Sequence, residues 1–150
     1  MATMLGRLQG AFKSLHSHDV RYVVIGGIAA IIHGVPRATF DLDLLIEATN
    51  ENVERLLSAL QEAGLGTAAM TTAAEVLANE ITIFKDRVRI DVQTRTPGLA
   101  FADAWAHRQT IEFQNVPFFI ASKSDLVAAK RAAGRPQDLA DVRILELLDT

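Results

Sequence analysis

Two aspartates one residue apart, Asp41 and Asp43, begin the apolar stretch DLDLLI that ends at Ile46. Side chains on a strand alternate between its faces with a period of two, so both carboxylates would share one face. Their Cα atoms would then lie about 6.6 Å apart, and both side chains could converge on one cation. Leu42, Leu44 and Ile46 would point the other way, into a core. We therefore interpret this strand as one whose acids carry chemistry.

A third aspartate, Asp91, lies in a second apolar stretch, from Val88 to Val92. On a strand it would share a face with Arg89 and Gln93, opposite a wholly apolar face. The chain has no cysteine and only four histidines, so three aspartates on two strands would form an oxygen-rich site. Such a site suits Mg²⁺, and two ions about 3.5–4 Å apart can hold both oxygens of an in-line phosphoryl displacement.

A glycine pair, Gly26-Gly27, stands between an apolar run from Val20 to Ile25 and a helix-like segment from Ile28 to His33. Glycines at a strand-to-helix turn permit a close approach of the backbone to a ligand. The amides of the helix that follows favour an anion such as phosphate. A tight turn without a ligand is the alternative interpretation of the pair.

The rest of the chain alternates between helical and extended patterns. Asn50 is a candidate N-cap for the first of the central helices, and residues 66–78 are weakly patterned. Strands alternating with helices and interrupted by hairpins predict one α/β (α+β) domain over residues 1–150, with a mixed central sheet flanked by helices. Further predicted helices are Leu5–Leu15, Glu51–Ala63, Phe101–Arg108, Ser122–Ala132 and Pro136–Leu147, and further strands are Ile81–Phe84, Thr110–Phe113 and Val116–Ile120.

Composition limits the class of protein. The chain has 150 residues, 49% of them hydrophobic and 22% charged, as in globular proteins rather than disordered ones. No apolar run reaches the roughly 18 residues of a membrane helix, and we expect a cytoplasmic location. The net charge of −3 argues against a generally basic surface for nucleic acids. Local basic patches could contact phosphate or solvent, and one such patch surrounds Asp91 with Arg87, Arg89 and Arg95.

The order Gly26-Gly27, helix, Asp41-Leu42-Asp43 resembles the signature of the polymerase-beta-type nucleotidyltransferase superfamily. The tripeptide Ile90-Asp91-Val92 resembles the position of its third, separately placed acid. The segments GGIAAIIHGVPRATFDLDLLI and KRAAGRPQDLADVRILE are similar to small prokaryotic nucleotidyltransferase-fold proteins, including toxin-type nucleotidyltransferases of abortive-infection systems. With RIDVQTRTPG between them, the resemblance covers most of the chain.

This resemblance implies a nucleotidyltransferase fold and roles for individual residues. Asp41 and Asp43 would bind two Mg²⁺ ions, and Asp91 would complete the site and help to activate the incoming hydroxyl. The predicted nucleotide-binding residues are Gly26, Gly27, Arg37, Thr39 and Lys130. Asp138 and Asp141 are interpreted as helix-capping and surface charges, and His33 as a structural histidine at a helix end.

The implied reaction is Mg²⁺-dependent transfer of NMP from an NTP donor to a hydroxyl of a small molecule, RNA or protein. The sequence selects neither the NTP nor the acceptor, and a domain this small could act as a homodimer or with a protein partner. The main alternative is a non-catalytic module of a toxin–antitoxin type pair that keeps the fold. A metal-dependent nuclease is a third interpretation, and it would need a water-activating base near the acids.

Overall fold

The computed structural model describes the backbone of residues 2–148 and the side chains of residues 4–148; the termini included in the predicted 1–150 domain lie outside these ranges. Within the described part, six strands form one sheet in the order β3-β4-β2-β1-β6-β5. The strands are Tyr22–Ile25 (β1), Asp41–Ile46 (β2), Ile81–Lys85 (β3), Arg89–Gln93 (β4), Gln109–Phe113 (β5) and Val116–Ile120 (β6).

The helices of the described residues precede, separate and follow these strands. A short 3-10 helix covers Gly66–Met70, within the segment whose sequence pattern was weak. The α-helices are Ala2–Ser17 (α1), Gly26–Ile32 (α2), Asn50–Glu62 (α3), Ala73–Ala78 (α4), Phe101–His107 (α5), Lys123–Ala133 (α6) and Pro136–Leu147 (α7).

The sheet is mixed, as the sequence predicts. Strand β2 pairs antiparallel with β1 and parallel with β4, while β3 and β5 are antiparallel edge strands. The prediction of an α/β fold with a mixed sheet is confirmed, and the predicted strand from Asp41 to Ile46 has the same bounds in the structure. The two strands that carry the three aspartates are therefore direct neighbours.

The alternation of side chains along β2 and β4 separates the core from the acids. Leu42, Leu44, Ile90 and Val92 are fully buried, whereas the aspartates lie on the other face. On the core side α1 packs on α3 and β6, and the rings of Phe12 and Phe118 stack with their centroids 4.2 Å apart. On the described residues, no helix is both long and apolar enough to cross a membrane.

The N-cap of α3 differs from the prediction. Thr49, rather than Asn50, caps the helix, because its hydroxyl accepts a hydrogen bond from the Asn52 amide at 3.2 Å. Asn52 is fully buried, and its side-chain amide donates to the carbonyls of Arg21 and Glu47. The Asn52 side chain thereby joins the start of α3 to the segments flanking β1 and β2.

Candidate active site

Gly26 and Gly27 were predicted to form a turn before a helix from Ile28 to His33, but in the structure α2 begins at Gly26. This pair, which we call the glycine turn, lies directly against Asp43. Ile25 is paired with Asp43 across β1 and β2, so the next residue, Gly26, stands beside the Asp43 carboxylate. Gly26 has φ +71°, and a Cβ built there would lie 2.9 Å from Asp43 Cγ and closer still to Oδ2. Only glycine fits this position, both because of its backbone conformation and because of the nearby carboxylate.

Two of the predicted nucleotide-binding side chains meet at the second glycine. A Cβ on Gly27 would lie 3.1 Å from Arg37 Nη2 and 3.1 Å from Thr39 Oγ1. The absence of a side chain at Gly27 thus lets a guanidinium and a hydroxyl approach the backbone of the turn. The structure brings Gly26, Gly27, Arg37 and Thr39 together beside Asp43.

Asp43 and Asp91 occupy paired positions on the parallel strands β2 and β4. Within the described residues, the Asp43 carboxylate is held by no hydrogen bond or ion pair. Burial, together with the negative charges of Asp91 and Asp41, raises the pKa of Asp43 to about 7, although Arg135 and Lys130 act in the opposite direction. Asp43 is therefore a half-buried carboxyl whose pKa is raised towards neutrality, as is common at functional sites.

Asp91, in contrast, is bound on both oxygens by a side chain of its own strand. Arg89 Nε donates to Asp91 Oδ1 at 2.9 Å, and Arg89 Nη2 donates to Asp91 Oδ2 at 3.2 Å. Arg89 Nε also lies 3.9 Å from Asp41 Oδ2. The guanidinium therefore neutralises part of the charge that the three aspartates bring to this face.

In this arrangement, the structure shows no group of three or more His, Cys, Asp or Glu side chains placed to hold a metal ion among the side chains of residues 4–148. Arg89 contacts two of the three carboxylates that were expected to bind Mg²⁺. The donor chemistry of the site still fits a hard cation, because all three donors are carboxylates on one face. The lack of a Cβ at Gly26 also lets the Asp43 carboxylate pack directly against the backbone there. Asp41, Asp43 and Asp91 could therefore hold Mg²⁺ if Arg89 moved away from Asp91.

A buried ionic network supports the site from the C-terminal helices. Asp141 is fully buried and accepts two hydrogen bonds from Arg37, at 2.9 and 2.7 Å. Lys130 Nζ lies 2.8 Å from Asp141 and 3.5 Å from Asp138. Arg135 holds Asp138 through a pair of hydrogen bonds, at 2.6 and 3.3 Å.

This network corrects one sequence interpretation. Asp138 and Asp141 were interpreted as capping and surface charges, but both are buried among cations from three segments of the chain. Burial opposes ionisation of Asp141, but hydrogen bonds from Arg37 and Lys130 outweigh it, so the pKa of Asp141 is lowered. The two acids are therefore structural counterions that fix the cations beside the glycine turn.

Lys130 was predicted to bind the nucleotide. Its side chain is only 5% exposed, and its ammonium group is paired with two carboxylates. It lies close enough to Asp43 to lower the pKa of that carboxyl. In the structure Lys130 thus contributes its positive charge to the site from within the network.

His33 has the structural role that its sequence position suggests. Its Nε2–H donates a hydrogen bond to the backbone carbonyl of Ala121 at 2.8 Å. Ala121 follows β6, and its own amide donates to the Val24 carbonyl. His33 therefore ties the end of α2 to the centre of the sheet.

A cleft of about 520 Å³ opens beside Asp41, and sequence patterns gave no indication of it. One wall consists of Arg37, Thr39 and Phe40, and Phe40 is 82% exposed. The other wall consists of the turn between β3 and β4 together with α1, since residues 85–89 and Arg7 line it. The cleft leaves room for a ligand next to the face of the acids.

Comparison with known proteins is consistent with this geometry. The model of the family described as "Nucleotidyltransferase of unknown function (DUF6036)" matches residues 4–150. The match covers nearly the whole chain, including the glycine turn, all three aspartates and the buried network. A search of the curated proteins found no match to the chain.

Proposed function

We propose, since the chain belongs to this nucleotidyltransferase family, that it transfers NMP from an NTP to a hydroxyl acceptor, with release of pyrophosphate. The observation that carries the proposal is the pairing of Asp43 with Asp91 across parallel strands, directly beside Gly26. This geometry combines a glycine turn that carries no side chains with carboxylates on one face. Both features are needed for phosphoryl chemistry that depends on positioning and electrostatics.

The triphosphate would bind at the glycine turn. Gly26 and Gly27 present no side chains there, and Arg37 and Thr39 stand next to Gly27 as donors for phosphate oxygens. Arg37 is oriented by its two hydrogen bonds to Asp141, so its position is set before a ligand binds. Such preorganisation lowers the entropic cost of binding the nucleotide.

The three aspartates would hold Mg²⁺, with Asp41 and Asp43 as shared ligands of two ions and Asp91 completing the set. Bound Mg²⁺ would offset negative charge on the triphosphate and on the leaving pyrophosphate. Asp43 is suited to this task because its burial beside Asp91 and Asp41 disfavours an isolated negative charge. A cation placed there relieves the repulsion between the carboxylates.

In the transfer step, the acceptor hydroxyl oxygen forms a bond to the α-phosphorus of the NTP. The bond from that phosphorus to the oxygen bridging the α- and β-phosphates breaks, and pyrophosphate leaves with the bonding electron pair. Asp91 would accept the hydroxyl proton, which requires that its oxygens are not both bound to Arg89. The cleft beside Asp41 offers the acceptor a path to the acids.

The proposal is tested by comparing NTPs labelled at the α- and γ-phosphates, with RNA, protein and small-molecule fractions of a cell extract as acceptors. Nucleotidyl transfer predicts that α-label enters an acceptor and that γ-label is released in pyrophosphate. Asp43→Asn should abolish the incorporation of α-label, whereas Asp103→Asn, an exposed site on α5, should retain it. Incorporation of γ-label, or cleavage of RNA without incorporation, would contradict the proposal.

A second candidate is a non-catalytic module that binds a protein partner, as in a toxin–antitoxin type pair. The observation that favours it is on edge strand β3, where Ile81 and Ile83 are about half exposed. Ile83 is paired with Asp91, so a partner covering these residues would also cover the acids. Co-purification with one protein, together with no incorporation from any NTP, would favour this candidate.

A further inference from the structure

Arg89 and Asp91 lie two residues apart on β4, so both side chains project from the same face of the sheet. The guanidinium binds both oxygens of Asp91 and lies 3.9 Å from an oxygen of Asp41. Paired hydrogen bonds between arginine and a carboxylate are among the stronger polar contacts in proteins. Arg89 thus stands between two of the carboxylates expected to bind a metal ion.

We propose that Arg89 is a displaceable internal cation that holds Asp91 in the metal-free protein and must leave it before a metal ion binds. This inference rests on the proposed function, since it concerns the same three aspartates. It identifies Arg89 as a positioning residue whose release completes the metal site. The ion pair therefore lowers the affinity for metal in the resting protein.

The reason for displacement is competition for the same oxygens. A guanidinium that binds Oδ1 and Oδ2 of Asp91 and lies 3.9 Å from Asp41 Oδ2 occupies space beside the carboxylates that a divalent cation would also use. A metal ion beside Asp43 and Asp91 would also repel the positive charge of Arg89. Binding of a metal ion and the contact between Arg89 and Asp91 therefore oppose each other.

Arg89 also has room to move. Its side chain is 38% exposed, whereas that of Asp91 is 14% exposed, so the arginine can leave while the acid stays in place. Arg89 and Asp41 both line the cleft of about 520 Å³. The released guanidinium can therefore turn into the cleft and remain solvated there.

A neighbouring arginine provides a matched control. Arg87 lies in the turn between β3 and β4, lines the same cleft, and contacts the region of Gly64 rather than the acids. Replacing either arginine removes one positive charge from the same hairpin. Only replacement of Arg89 removes the contact with Asp91 and Asp41.

The test measures Mn²⁺ binding by the full chain at pH 7.5, by titration with electron paramagnetic resonance detection of free Mn²⁺. We expect Arg89→Ala to bind Mn²⁺ more tightly than the wild type by about tenfold and to melt at a lower temperature without metal. Arg87→Ala should leave both properties close to those of the wild type. Arg89→Lys keeps the charge but loses the paired hydrogen bonds, so its Mn²⁺ affinity should lie between those of the wild type and Arg89→Ala.

Each other outcome has a defined meaning. Equal or weaker Mn²⁺ binding by Arg89→Ala would overturn the role of Arg89 and leave the proposed transferase function standing. Equal tightening by Arg87→Ala and Arg89→Ala would show a general charge effect and would also overturn it. If no form of the protein binds Mn²⁺, with or without NTP, both this inference and the metal-dependent function fail. If Arg89→Ala does not fold, the comparison of Arg89→Lys with the wild type decides the question.

Discussion

Asp43 and Asp91 are paired across β2 and β4, yet only Asp91 has a cation bound to its carboxylate. Asp43 is half-buried without such a partner, and desolvation together with the charges of Asp91 and Asp41 raises its pKa to about 7. In a metal-free protein, this carboxyl costs folding free energy whenever it is ionised. The site is thus arranged around a negative charge that a bound cation would stabilise.

This imbalance predicts a pH-dependent effect of Asp43→Asn on the metal-free protein. The pKa of Asp43 is higher in the folded state than its ordinary value of 3.8, so its destabilising effect is absent below about pH 4 and complete above about pH 7. One pKa unit corresponds to about 1.36 kcal/mol, and a shift from 3.8 to about 7 limits the effect to about 4 kcal/mol. The variant should melt several degrees higher than the wild type at pH 8.

The measurement is the difference in melting temperature between Asp43→Asn and the wild type, in the presence of a chelator, from pH 8 down to pH 4. The difference should shrink steadily as the pH falls. Asp103→Asn, which removes an exposed carboxylate from α5, should show no such gain at pH 8. A melting difference for Asp43→Asn that is the same at all pH values would contradict the environment described for Asp43.

Gly26→Ala and Gly10→Ala should have opposite effects on stability. A Cβ at Gly26 would collide with the Asp43 carboxylate at a backbone φ of +71°, so this variant should be less stable and bind nucleotide poorly. Gly10 lies within α1, and a Cβ there meets no atom within 4 Å. Alanine at position 10 should therefore stabilise the protein by up to about 1 kcal/mol. Chemical denaturation of both variants checks this, and a neutral Gly26→Ala would refute the close contact.

Asp141→Asn should destabilise the protein strongly. Its carboxylate is fully buried and neutralises both Arg37 and Lys130, and removal of one partner from a buried ion pair costs about 3–5 kcal/mol. Glu146→Gln on the same helix breaks only the exposed pair with Arg131, which is worth at most about 1 kcal/mol. Urea unfolding of the two variants provides the comparison. Equal midpoints would show that Asp141 is not a structural counterion.

The sequence predicts the framework of the site because its signals are local. Alternation along the strand places Asp41 and Asp43 on one face, and the glycine pair marks the turn from β1 to α2. The same alternation along β4 places Arg89 and Asp91 on one face, and this shared face is a sequence signal for their ion pair. The sequence interpretation assigned Arg89 to a phosphate or solvent patch instead, because composition does not show which ligand a cation will meet.

The buried network could not be predicted in the same way. Asp138 and Asp141 lie on the face of α7 that also buries Val142 and Leu145, and this three-to-four spacing is the available sequence signal. Their counterions, however, come from Arg37, Lys130 and Arg135. Arg37 lies 104 residues from Asp141 along the chain, and only the tertiary fold brings them together.

The proposed transferase activity requires that the three aspartates and the glycine turn bind an NTP together with Mg²⁺. The most direct measurement is the melting temperature of the wild type and Asp43→Asn with each NTP, with and without Mg²⁺, each compared with its own ligand-free value. A ligand at 100 times its dissociation constant adds about 2.7 kcal/mol, or roughly 5–10 °C for a chain of this size. A Mg²⁺-dependent shift with an NTP that is lost in Asp43→Asn is the predicted result. No shift with any NTP in the wild type, or an equal shift in Asp43→Asn, would contradict the claim.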